Sequence, residues 1–262
     1  MLSLKEIRKK HYTHQRSKLV NMNADIDDWL YSPYNCFKAR IYIEISSILV
    51  YFLQRTHITP NTITILYAIS GILGGVFFYF ESKNLILTAC FIFYFKGILD
   101  WSDGLLARIK GRTSPLGHIL DAWGSNVGYI AFVSGLSFHC FNLSGDMAYI
   151  ILLIFFLIFK SLDFKTYLYQ QSYYEILNKT NNIEMNFIKT NNLKEDKKKL
   201  IITFLKSFMD DRARTTDTVI LIIVLNLYFD LLFYIKFIIF LYFLKSMIVF
   251  LGSLYYFYFK NS

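Results

Sequence analysis

Three aspartates lie within stretches of the sequence that are otherwise almost entirely apolar. Asp100 and Asp103 are three residues apart, so they share one face of a predicted helix, and Asp121 follows in the next apolar stretch. Charges inside apolar helices are costly and usually serve an ion or a substrate. Two antiparallel helices joined by the short connection 109–115 would bring the three carboxylates to the same depth below the membrane surface. We therefore predict a site for Mg²⁺, Mn²⁺ or Ca²⁺, because these ions prefer oxygen ligands.

Small residues and an arginine accompany these aspartates. Gly104, Ala107 and Gly117 leave room for a ligand to approach the backbone. Arg108 can bind phosphate oxygens, and a divalent cation neutralises such oxygens during phosphoryl-type transfer. The residue types together predict a substrate with a pyrophosphate group. A simpler interpretation, in which the small residues only ease helix packing, is compatible with the first.

The spacing of these residues resembles the signature of the CDP-alcohol phosphotransferase family. That signature is D-x-x-D-G-x-x-A-R, eight further residues, and G-x-x-x-D-x-x-x-D, and seven of its eight defining positions match here. The matching residues are Asp100, Asp103, Gly104, Ala107, Arg108, Gly117 and Asp121. Residues 59–64, TPNTIT, are similar to a second family element at the start of the first predicted span.

The resemblance implies a transferase of phospholipid or related phosphodiester synthesis. An acceptor alcohol or phosphorylated alcohol would displace CMP from CDP-diacylglycerol or another CDP-alcohol, usually with the help of two divalent ions, Mg²⁺ or Mn²⁺. A homodimer is also implied. Carried over by position, the metal ligands are Asp100, Asp103 and Asp121. The residues around the CDP moiety are Asn61, Thr62, Ile63, Thr64, Gly104, Arg108 and Ser114.

The last position of the signature differs from the family. Family members have an aspartate there that binds the second metal and acts as general base, whereas this chain has Ser125. A serine hydroxyl neither accepts a proton near neutral pH nor replaces an anionic ligand. Three interpretations stay open: an inactive relative that still binds nucleotide, a base recruited from elsewhere such as Asp217 or His118, or an acceptor that is already ionised.

The composition predicts an integral membrane protein. Hydrophobic residues make up 55% of the 262 residues, whereas roughly 45–50% is usual in soluble proteins even when glycine is counted. The formal net charge is +9. Because the lysines and arginines lie between apolar stretches, we expect them to face an anionic membrane surface and not nucleic acid.

Hydropathy predicts an all-α fold with six transmembrane helices. The expected spans are 60–80, 84–108, 116–141, 145–169, 215–234 and 236–259. An interfacial helix is predicted at 40–53 within a leader that covers 1–59, and the transferase domain covers 60–262.

The distribution of basic residues predicts the orientation. They are concentrated in the leader, in the connection 109–115 and in a polar loop at about 170–214, whereas the connections on the opposite side, including a turn expected near Lys236, carry few. The positive-inside rule then places both termini and the active site on the cytoplasmic side of a multi-pass protein.

Two other function classes compete with the transferase. One is a catalytically silent relative that binds CDP-linked lipid, which the serine at position 125 favours. The other is a small transporter with an acidic cavity. A transporter would not need the glycines, alanine and arginine that accompany the aspartates, so nucleotide binding distinguishes it from the first two classes.

Overall fold

The computed structural model describes residues 1–20, 33–162, 213–229 and 231–260, and this part of the chain contains helices and no strands. The helices are α1 (Leu4–Val20), α2 (Pro33–Leu53), α3 (Pro60–Tyr79), α4 (Lys83–Phe95), α5 (Gly97–Lys110), α6 (Pro115–Ser144), α7 (Ala148–Ser161), α8 (Ala213–Asn226) and α9 (Leu232–Lys260). The predicted all-helical fold is confirmed. The predicted loop at 170–214 lies almost entirely outside the described residues.

Four helical stretches in the described part are long and apolar enough to cross a membrane. They are Pro60–Tyr79, Lys83–Lys110, Pro115–Ser144 and Leu232–Gly252. These stretches coincide with four of the six predicted spans and indicate an integral membrane protein. The other two predicted spans correspond to the shorter apolar helices Ala148–Ser161 and Thr216–Asn226. The total of six spans therefore stays a prediction.

The connection between the last two helices differs from the sequence prediction. The turn lies at 227–229, and Lys236, where the turn was expected, is inside α9. Asn226 helps to end α8, because its side-chain oxygen accepts a hydrogen bond from the backbone N–H of Leu231 at 2.8 Å. Lys236 instead donates a hydrogen bond to Asp146. Nearly continuous apolar residues around this turn conceal it from a hydropathy pattern.

The N-terminal leader contains a helix, α1, that the hydropathy pattern did not predict. Its start is a capping box, in which the Glu6 carboxylate accepts a hydrogen bond from the Ser3 N–H at 2.7 Å and Ser3 Oγ accepts one from the Glu6 N–H at 3.3 Å. α1 is joined to α2 by an ion pair between Arg8 and Glu44 at 2.7 Å. α2 itself begins earlier than the predicted interfacial helix, at Pro33.

The described residues group into two compact units. The first contains residues 1–20, 33–67 and 95–124, and the second contains 68–94, 125–162, 213–229 and 231–260. In the first unit α2 packs against both α1 and α5. The core of the first unit contains Ile7, Val50, Ile63, Leu105 and Leu106. The leader helices therefore share a unit with the aspartate-bearing helix α5.

The second unit has an aromatic core and one very close helix contact. The rings of Phe93 and Phe132 lie 4.8 Å apart, edge to face. A Cβ added to Gly75 of α3 would lie 2.5 Å from the carbonyl oxygen of Ala131 in α6. Because this is far inside van der Waals contact, glycine is required for the two backbones to approach so closely.

Candidate active site

Helix α5 carries the first half of the signature. Asp103, near its middle, is buried, with only 5% of its surface exposed, while Asp100 is partly buried. The helix ends at Gly111, which has a φ of 62° and whose N–H bonds to the carbonyl of Ala107. This left-handed conformation suits glycine. The signature residues from Asp100 to Arg108 therefore lie on one regular helix.

Helix α3 begins at the TPNTIT element and reaches α5. Thr59 caps the helix, since its Oγ1 accepts a hydrogen bond from the Thr62 N–H at 3.3 Å, and Pro60 occupies the first helical position. One turn further on, Thr64 Oγ1 donates a hydrogen bond to Asp103 Oδ2 at 2.5 Å. Thr64 is 3% exposed. The predicted nucleotide-binding element thus contacts a predicted metal ligand directly.

The start of α6 lies beside the same element. Ser114 caps α6 by accepting a hydrogen bond from the Gly117 N–H at 3.0 Å. A Cβ added to Gly117 would lie 3.3 Å from Ser114 Oγ and 3.7 Å from Asn61 Oδ1. Glycine at this position therefore leaves the polar groups of Asn61 and Ser114 accessible beside the backbone of α6.

Charged groups of both signs surround the buried carboxylate of Asp103. Arg108 and Asp121 both act on it electrostatically, with opposite signs. The guanidinium of Arg108 lies over Gly104, because a Cβ on that glycine would be 3.4 Å from Nη1. The arginine side chain is otherwise exposed. An anionic ligand could therefore reach the guanidinium close to the carboxylate of Asp103.

Lys110 fixes the end of α5 relative to the start of α3. Its Nζ donates hydrogen bonds to the backbone oxygens of Thr56 and Ile58, each at 2.8 Å. Both oxygens belong to the segment that leads into α3. This contact helps to hold Thr64 opposite Asp103.

The predicted site residues differ in how far the structure brings them together. Ile63 belongs to the core of the first unit, so any contact of this residue with a nucleotide would use its backbone. Thr62 is exposed and bonded to Thr59. In the described part of the chain, no three or more His, Cys, Asp or Glu side chains are grouped closely enough to hold a metal ion. The predicted three-carboxylate cage therefore stays a prediction.

Ser125 and the two substitute bases lie on helices α6 and α8. Ser125 follows Asp121 by four residues in α6, and its side chain is exposed. His118 lies in the first turn of α6 and is also exposed, whereas Asp217 is buried in α8. The identity of a substitute base therefore stays a prediction.

Two aromatic contacts of α5, both made by a tryptophan between the aspartates, were not expected from the sequence. Trp101, between Asp100 and Asp103, meets the rings of His11 and Tyr42 edge to face, with centroids 5.8 and 5.6 Å away. His11 is completely buried in α1. Only the capping box at the start of α1 signals from sequence that this helix exists.

The buried His11 is held in its neutral form. Burial, with a further contribution from the charge of Arg108, lowers the pKa of His11 to about 4. Its ring nitrogens lie within hydrogen-bonding distance of Ser46, Ser47 and Gln15, at 3.3 to 3.4 Å. Uncharged polar contacts of His11 therefore hold α1 against α2, while its ring contacts Trp101 of α5.

The fold and this site define a helical membrane protein in which carboxylates, hydroxyls and an arginine meet among apolar helices. The chain matches the family model for CDP-alcohol phosphatidyltransferase over residues 57–240, well over half of its length. It therefore belongs to the CDP-alcohol phosphatidyltransferase family. The matched region contains every predicted site residue, whereas α1 and α2 precede it. A comparison with curated proteins gives no match.

Proposed function

We propose that this chain is a membrane transferase that moves a phosphatidyl or other substituted phosphate group from a CDP-linked donor to an acceptor and releases CMP. The family transfers phosphatidyl groups from CDP-alcohols. The observation that carries the proposal is the hydrogen bond from Thr64 to Asp103, because it joins the two elements of the family resemblance in one polar site. CDP-diacylglycerol is the donor we favour, and an alcohol acceptor would give a phospholipid or related phosphodiester.

In this proposal the polar groups around α3, α5 and α6 bind the CDP moiety. Arg108 would bind the pyrophosphate oxygens through charge-assisted hydrogen bonds. Because Gly104 has no side chain, the space beneath the guanidinium of Arg108 is open. Asn61 and Ser114, which flank Gly117, would contact the nucleotide at the other end of the site. The remaining residues of the TPNTIT element position these groups.

Asp100, Asp103 and Asp121 would hold the divalent cation, Mg²⁺ or Mn²⁺. The fit rests on donor chemistry, since all three supply the oxygen ligands that these ions prefer. The buried carboxylate of Asp103 also lies within the electrostatic influence of Asp121, so a positive charge beside both would relieve their repulsion. When bound, the ion would neutralise the pyrophosphate oxygens and the departing CMP. Thr64 would keep Asp103 correctly oriented.

Ser125 bears on the identity of the acceptor. In the transfer, an acceptor oxygen forms a bond to the phosphorus that carries the diacylglycerol, and the bond from that phosphorus to the CMP oxygen breaks. A neutral alcohol must also lose its proton, which normally requires a base. A phosphate or carboxylate oxygen has no proton to lose, and its attack on that phosphorus would give a pyrophosphate diester or an acyl phosphate. We therefore propose that the acceptor oxygen is already ionised and that the product is of this kind.

A second candidate function is a silent relative that binds CDP-linked lipid without turnover. The serine at position 125 is the specific observation in its favour. Both candidates predict donor binding, so binding alone does not distinguish them.

The membrane arrangement is part of the proposal. We propose a multi-pass protein with six spans, both termini and the active site on the cytoplasmic side, and a homodimer in the bilayer. α2 would lie at the membrane surface, because Phe37, Ile45, Ile48 and Phe52 form an exposed apolar row along it.

The test is CMP release by the purified chain with Mg²⁺ or Mn²⁺ and CDP-diacylglycerol, across neutral and phosphorylated acceptors. The transferase proposal expects release with an ionised acceptor and its loss in Asp121→Asn. Release from Ser125→Asp alone would favour the silent relative. Turnover with neutral polyols but not with anionic acceptors would contradict the ionised-acceptor proposal.

A further inference from the structure

A cavity of about 460 Å³ opens at the surface of α1 and α2, in the first unit. It lies outside the region matched by the family model, which begins at residue 57. Its lining consists of four cationic side chains and two hydroxyl-bearing ones. These residues are Arg8, Lys9, Tyr12, Thr13, Arg16 and Arg40. The transferase site does not account for this concentration of positive charge.

Contacts with Glu44 and with one another hold several of the side chains that line the cavity in place. Glu44 of α2 accepts hydrogen bonds from Arg8 at 2.7 Å and from Tyr12 at 3.0 Å, which joins the two helices beside the cavity. The guanidinium of Arg16 lies 5.8 Å from the centroid of the Tyr12 ring. These contacts restrict the side chains before any ligand binds, which lowers the entropic cost of binding.

The chemistry of the lining matches a phosphate group. Arginine and lysine offer several N–H donors, and arginine binds phosphate oxygens in a forked geometry. The hydroxyls of Tyr12 and Thr13 already donate their protons, to Glu44 at 3.0 Å and to the backbone oxygen of Lys9 at 2.9 Å, so the contacts to a phosphate would come from the arginines and the lysine.

An exposed apolar row on α2 points to a lipid as the source of that phosphate. The row contains Phe37, Ile45, Ile48 and Phe52. Phe37 lies three residues before Arg40, and Ile48 lies four residues after Glu44, so the row and the cavity occupy adjacent faces of the helix. A phospholipid presents the same combination, an anionic phosphate next to hydrocarbon. Free phosphate would use only the cavity.

We propose that this cavity binds the headgroup phosphate of an anionic phospholipid, with the acyl chains against the apolar row of α2. The site is separate from the CDP-binding residues and does not rest on transferase activity. Binding there would hold the leader helices against the membrane surface. Because His11 and Tyr42 contact Trp101, it would also stabilise the position of α5.

The test is a lipid titration of the purified full chain in detergent, with bound lipids counted by native mass spectrometry. The probes are phosphatidic acid, phosphatidylglycerol and phosphatidylcholine, and inorganic phosphate in large excess is the competitor. Lys9→Gln/Arg16→Gln removes two lining charges. Lys5→Gln/Lys10→Gln is the matched control, since both lysines are exposed on α1 and neither lines the cavity.

The native chain is expected to bind the two anionic lipids in preference to phosphatidylcholine. The lining variant should bind them about 30-fold more weakly, because each cation near an anionic lipid contributes about fivefold. The control variant should change by at most about threefold, since its charges lie farther from the headgroup and are screened. Melting temperatures of both variants check that the chain stays folded.

Three results would overturn the proposal. Equal losses in both variants would show a general effect of net charge. Equal binding of all three lipids would show that the cavity does not recognise an anionic headgroup. Displacement of the lipids by inorganic phosphate would show that the cavity is a site for a free anion.

Discussion

The hydrogen bond from Thr64 to Asp103 gives the sharpest single test of the site. Thr64→Val keeps the shape of the side chain and removes the hydroxyl that donates to Asp103 Oδ2 at 2.5 Å. Thr64→Ser keeps the hydroxyl. Thr88→Val is a control, because Thr88 is an exposed helical threonine whose hydroxyl donates to a backbone oxygen of its own helix, that of Asn84 at 2.8 Å.

The magnitude follows from the burial of both partners. Thr64 and Asp103 are 3% and 5% exposed, so water cannot readily replace the lost donor. Removing a hydrogen bond to a charged buried group costs about 1.5–3 kcal/mol. If Asp103 binds the divalent cation, loss of the group that orients it should weaken metal affinity about 10- to 100-fold.

The assay is Mn²⁺ binding to the purified chain, followed by electron paramagnetic resonance, with the metal dependence of CMP release as a second reading. Thr64→Val should bind Mn²⁺ about 10- to 100-fold more weakly, while Thr64→Ser and Thr88→Val stay close to the native chain. Native Mn²⁺ affinity in Thr64→Val would refute the reasoning, because the hydroxyl would then not position a metal ligand.

Three further predictions concern packing, phosphate recognition and pH. Gly75→Ala should destabilise the fold by about 1–3 kcal/mol in thermal unfolding, because its Cβ would lie 2.5 Å from a carbonyl of α6; Gly252→Ala, in open space, should be neutral. Arg108→Lys should weaken CDP-diacylglycerol binding roughly tenfold in a filter assay, since lysine cannot form the forked contact, whereas the exposed Arg112→Lys should not. Stability should fall by up to about 3 kcal/mol as pH drops from 6.5 towards 4, because the unfolded chain gains a proton that buried His11 does not. In thermal unfolding, the stability of His11→Gln should depend less on pH between 6.5 and 4. The same pH dependence as in the native chain would show that other groups cause it.

Local features of the sequence account for the parts of the site that depend on neighbouring residues. Hydropathy predicts spans that start at 60 and 116, and α3 and α6 begin at Pro60 and Pro115, where Thr59 and Ser114 cap them. Regular spacing likewise placed the aspartates of α5 on one face. Because capping and periodicity act within a few residues, such features are readable from the sequence.

Contacts between residues that are far apart in the chain could not be predicted from the sequence. The bond between Thr64 and Asp103 spans 39 residues, and its partners become neighbours only when α3 packs on α5. The contact of His11 with Trp101 depends in the same way on the docking of α1. The hydropathy pattern did not place the turn at 227–229, because its apolar residues resemble those of the flanking helices.

Detection of the transfer product is the most direct test of the central claim. The native chain would be reconstituted in vesicles containing CDP-diacylglycerol, supplied with Mn²⁺ and a phosphorylated acceptor, and both products would be measured by mass spectrometry. The account predicts a new lipid, in which the phosphatidyl group is joined to the acceptor, and CMP in equal amounts, with both lost in Asp103→Asn. CMP formed without this lipid, or neither product from the native chain, would contradict it.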